Sequence, residues 1–103
     1  MNYQGTSLTL GQQLAFYITM HEGGGSLEES VFVQHSLWLE ALQLSKKGIL
    51  VSKTSSKFPP QTFYAIAPQA MPFWVQNQRG LKERWDEHIS QDQRPSYTWL
   101  THA

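Results

Sequence analysis

Lys46, Lys47, Lys53 and Lys57 fall within twelve consecutive residues that hold no acid, and they are half of the chain's eight lysines and arginines. Ammonium groups at that density bind phosphate oxygens by displacing the counterions condensed on a nucleic acid, so contact with a duplex backbone is the first chemistry suggested. Lysine along a hairpin edge also has a plainer use, which is to discourage strands of other chains from pairing with it. Residue type alone serves both readings.

The other reactive side chains form no set. His21, His35, His88 and His102 stand far apart, without the spacing of a metal site. His21 and Glu22 are adjacent and point in different directions on a helix. Glu28 and Glu29 suit the first turn of a helix, where carboxylates meet the positive end of the dipole. The run His21-Glu22-Gly23-Gly24-Gly25-Ser26 has glycines but lacks the Lys-Ser/Thr of a phosphate loop. No catalytic residue, metal or cofactor is expected, and there is no cysteine to act as ligand or nucleophile.

The 103 residues predict one domain, with 40% hydrophobic and 13% aromatic side chains as core material. Eight basic residues balance eight acidic ones, which argues against a protein that grips nucleic acid by bulk positive charge. One basic edge on a neutral domain remains compatible with that balance. No apolar run approaches the roughly 20 residues that cross a bilayer, and the first residues lack a secretion-signal pattern. A cytoplasmic protein without a membrane role is the expectation.

Several elements must hold these side chains. Residues 1–8 read as a loose arm. Thr9-Leu10-Gly11-Gln12 is a capping box that opens a first helix, with Leu10, Leu14 and Ile18 on one face and three glycines at its end. Ser26-Leu27-Glu28-Glu29 reads as a second capping box. From there the pattern permits either one helix to Lys47 or a break near Gln34–Ser36 with Ser36 as N-cap and a third helix over 37–47. That helix would bury Trp38, Ala41, Leu42 and Ser45. Two β-favouring runs follow, Ile49–Lys53 and Thr62–Ala67, joined by a polar loop with Pro59 and Pro60. Phe63 reads as a core residue. A last helix over 69–91 carries Trp74, Leu81, Trp85 and Ile89 on one face and a Lys82–Asp86 pair on the other, with Gly80 as a kink or a break. Residues 92–103 read as an apolar tail. The predicted class is α+β, mainly α, with one β-hairpin and a C-terminal helix.

Helix, glycine turn, short helix, helix, hairpin and helix is an order that resembles the winged helix-turn-helix family. The segments Leu37–Lys53 and Thr62–Pro68 carry the resemblance, which spans about residues 9–68. It implies that helix 3 enters a major groove with Ser36, Gln43 and Lys47 outward, while Lys46, Lys53 and Lys57 hold phosphates. Double-stranded DNA would be the partner of a transcriptional regulator or accessory factor, dimeric through the helix around Trp74–Ile89. The sequence departs from that pattern at Glu40, which a phosphate backbone repels, and in having no arginine in helix 3. Gln43 and Glu40 also suit ordinary solvated helix surface. The alternative function is a protein–protein interaction module, an inhibitor or adaptor of the kind mobile elements encode, with no DNA binding. Phe58 at the hairpin tip, Trp74, Trp85 and the tail residues Tyr97 and Trp99 are its candidate contacts. The winged-helix assignment depends on the bend at 34–36.

Overall fold

The computed structural model describes the backbone of residues 1–102 and the side chains of residues 1–90. In chain order the elements are β1 (Asn2–Tyr3), β2 (Thr6–Ser7), α1 (Leu10–His21), β3 (Ser26–Glu28), α2 (Glu29–Gln34), α3 (Trp38–Lys46), β4 (Leu50–Thr54), β5 (Thr62–Ile66), a 3-10 turn (Pro68–Ala70) and α4 (Met71–His102). The class is α+β and mainly helical. α4 runs through Gly80 without a break and continues into the stretch expected as a tail. Tyr97 and Trp99 lie outside the described side chains.

α1 is the central rod. Its capping box is complete: the Thr9 hydroxyl accepts from the Gln12 backbone N–H, and the Gln12 side chain accepts from the Thr9 N–H, both at 3.1 Å. Every residue from Gln12 to Thr19 is buried, because α3, the sheet and α4 surround the helix. Leu10, expected on the apolar face, is 54% exposed because the chain enters the helix ahead of that enclosure. Against α1, Phe16 and Tyr17 meet Phe73, Trp74 and Trp85 of α4, with ring centroids 5.5 to 6.1 Å apart. Leu81 is fully buried and Ile89 packs at the edge, as the spacing predicts.

Two segments differ from expectation. Residues 1–8 are not a loose arm: Gln4 and Gly5 take positive φ (49° and 80°), which closes a two-residue hairpin and sends Tyr3 and Leu8 into the core. The Tyr3 ring meets Phe73 edge-on at 5.4 Å. Ser26–Glu28, expected as a helix start, is instead a third strand. It pairs antiparallel with β5 (Ser26 with Ala65, Leu27 with Tyr64), giving the sheet order β3-β5-β4. The capping-box pattern loses because β5 is a central strand whose second edge needs a partner, and Leu27 gains burial there.

Sheet register decides which residues face inward. Leu50, Tyr64 and Leu27 lie on the buried face, while Val51, Lys53, Phe63 and Ala65 lie on the other. Phe63 is therefore only half-buried on the outer face, and its neighbour Tyr64 is the core aromatic, edge-on to Phe32 at 5.5 Å.

Candidate functional site

The chain does bend at residues 34–36. Ser36 takes φ 59°, its N–H donates to Val33 O at 3.0 Å, and the Leu37 N–H donates to Phe32 O at 2.8 Å. That pair of bonds is a Schellman closure, with Phe32 and Leu37 buried beneath it. Ser36 occupies the position glycine usually takes and is no N-cap: the N-cap of α3 is Leu37, without a side-chain bond. The far end of α3 closes the same way, Gly48 (φ 77°) donating to Ser45 O and Ile49 to Leu44 O.

These closures set the rotation of α3. Leu37, Ala41 and Leu44, spaced i, i+4, i+7, face the core. Trp38, expected inside, is 42% exposed, and Leu42 and Ser45 are half-buried. Leu39 is 57% exposed, with Lys46 two turns further along the same face. Val33 of α2 is also 57% exposed. The Tyr64 hydroxyl donates to Glu29 Oε2 at 3.1 Å. Burial first, then the bond to Glu29, holds the Tyr64 phenol above its ordinary pKa, while Trp38 works the other way.

Gln43 and Glu40 of α3 lie against α1. Gln43 Oε1 accepts from Gln12 Nε2 at 2.9 Å, so its amide is engaged by α1. The Glu40 side chain lies over Gly11, where a Cβ would come within 2.9 Å of its Cγ. Ser36 is exposed, but in the turn rather than on the helix.

Lys46, Lys47, Lys53 and Lys57 are all exposed, and none has an ion-pair partner among the described residues. Lys53 stands on the outer sheet face opposite Phe63. The hairpin ladder closes at Thr54 and Thr62, whose hydroxyls are 3.2 Å apart, and at Ser55 N–H to Gln61 O, 2.7 Å. Beyond it Phe58 is 98% exposed, the barest large apolar side chain among the described residues. A groove of about 500 Å³ runs between α2 and the base of the β4–β5 hairpin, with Glu29 and Val33 on one wall and Pro60 and Thr62 on the other.

Trp85 is 8% exposed, its indole packed against Tyr17, His35 and His88, which leaves little of it for a partner. Trp74 is half-buried against Phe16 and Tyr17. His35 also bonds Glu22 at 3.1 Å, tying the ends of α1 and α2 together. Sequence reasoning missed Val33, Trp38 and Leu39. Their signal was there: Leu37 to Leu44 is apolar at six of eight positions, more than one core-facing stripe requires.

Among the described residues no three of His, Asp and Glu converge as metal ligands, and no helix is long and apolar enough to cross a membrane. No family model, curated protein or solved structure matches this chain.

Proposed function

We propose that this is a protein-docking module of winged-helix-like build, acting in the cytoplasm by binding rather than catalysis. The observation that carries it is the outward face of α3. Where a DNA reader needs hydrogen-bonding side chains, this chain presents Trp38 and Leu39. Apolar surface exposed in that way is stabilised by a partner that removes it from water, about 25 cal/mol per Å² before the cost of association. Lys46 borders the patch, and Lys53 and Lys57 stand on the wing. The partner that fits is a protein with an apolar patch rimmed by carboxylates.

A second reading, duplex DNA binding, is favoured by the four exposed lysines without ion-pair partners among the described residues. One comparison separates the two. Affinity capture and duplex titration at low salt are run on wild type, Leu39→Glu and Lys53→Ala/Lys57→Ala. Docking predicts a stoichiometric protein lost in Leu39→Glu and no salt-dependent duplex binding. Duplex binding that follows the lysines and ignores Leu39→Glu would replace this reading with the DNA one.

A further inference from the structure

Away from the α3 face, a cleft of about 430 Å³ opens between the C-terminal half of α1 and the second and third turns of α4. That volume lies in the range of small-molecule sites. Its floor is apolar: Tyr17, Met20 and Trp74, with the Tyr17 ring stacked on His21 at 5.2 Å and tilted against Trp74 at 6.1 Å. Its rim is cationic. Arg79 and Lys82 line it one turn apart, and no carboxylate is among its lining residues. The partners of those cations, Glu83 at 3.7 Å from Arg79 and Asp86 at 2.8 Å from Lys82, sit one turn further along α4, outside the lining.

From this arrangement we infer a binding site for a small aromatic carboxylate, with its ring laid on Trp74 beside Met20, the edge of Tyr17 beneath it, and its anion held by Lys82 and Arg79. A flat apolar body suits a floor of rings, since offset and tilted aromatic packing adds to the burial of area. The sign of the rim then selects an anion over a neutral or cationic analogue. Both cations are already satisfied by exposed acids on the same helix, so an incoming carboxylate exchanges one partner for another. Its selectivity is therefore modest. The site does not depend on the docking face, because α1 and α4 alone supply it.

The probe is 1-naphthoate, compared with neutral 1-naphthamide, each titrated into the full chain and followed by amide and indole shifts in two-dimensional NMR. Saturable shifts at Tyr17, Met20 and the Trp74 indole are expected, with naphthoate bound about three- to tenfold tighter than naphthamide. Arg79→Gln/Lys82→Gln changes two side chains that are 94% and 64% exposed, so the fold survives it. In that variant the two probes should bind equally, with naphthamide unchanged from wild type. The inference is overturned if naphthoate gives no saturable shift up to its solubility limit, if the shifts fall elsewhere, or if the double variant keeps the preference for the anion.

Discussion

Gln12 Nε2 donates to Gln43 Oε1 at 2.9 Å, so one amide joins the first turn of α1 to the middle of α3. The same side chain closes the capping box on Thr9 through its Oε1. Cap and helix contact are therefore coupled. Thr9→Ala should remove only the hydroxyl half of the box and lower stability by about 1 kcal/mol. Gln12→Ala should leave the Thr9 hydroxyl bond in place but remove the return bond to the Thr9 N–H together with the bond to Gln43, and lower stability by about 2 kcal/mol, read from urea midpoints at unchanged slope. Equal losses in the two variants would show that the bond to Gln43 adds nothing.

Ser36 holds the bend in a left-handed conformation, φ 59°. An L-residue there is strained by about 1 to 2 kcal/mol, part of which glycine returns through its freer unfolded chain. Ser36→Gly should stabilise the protein by about 0.5 to 1 kcal/mol, and Ser36→Val should destabilise it by more than 1 kcal/mol. Thermal melting of both variants checks the sign.

Alkaline pH should unfold the protein through its buried phenols. Tyr17 and Tyr64 are both held above the ordinary value of 10.0, each chiefly by burial, Tyr17 eased by Lys82 and Tyr64 pushed further by Glu29. A raised folded pKa adds stability that is intact below the ordinary value and lost as pH climbs through the folded one. These two groups should leave the urea midpoint level through neutral pH and lower it above about pH 10. Tyr64→Phe should flatten part of that fall, and an unchanged profile would remove Tyr64 from the account.

The N-terminal hairpin should behave as core. Tyr3 is 8% exposed and edge-on to Phe73, so Tyr3→Ala should cost about 2 to 4 kcal/mol. A loose arm would show no loss. Chemical denaturation decides between them.

Much of the fold was legible in the sequence where local chemistry and burial agree. The Thr9–Gln12 box, the Lys82–Asp86 pair and the Trp74–Ile89 face stand as read. The bend at Ser36 was open because its left-handed residue is not glycine, so the usual marker is missing. Ser26–Glu28 carries a helix-start pattern that pairing with β5 overrides. The α3 face was misjudged for a related reason. With apolar residues on nearly every side, periodicity cannot choose a stripe, and the closures at residues 36 and 48 choose it instead.

The β4–β5 hairpin has one more consequence. Its ladder ends at Thr54–Thr62, and the residues beyond reach no part of the interior, Phe58 being 98% exposed. Lengthening such a loop costs little, since closure entropy grows only with the logarithm of its length. Residues 56–59 can therefore be lengthened or exchanged at little cost to the scaffold, which leaves this finger free to be reshaped for whatever it touches.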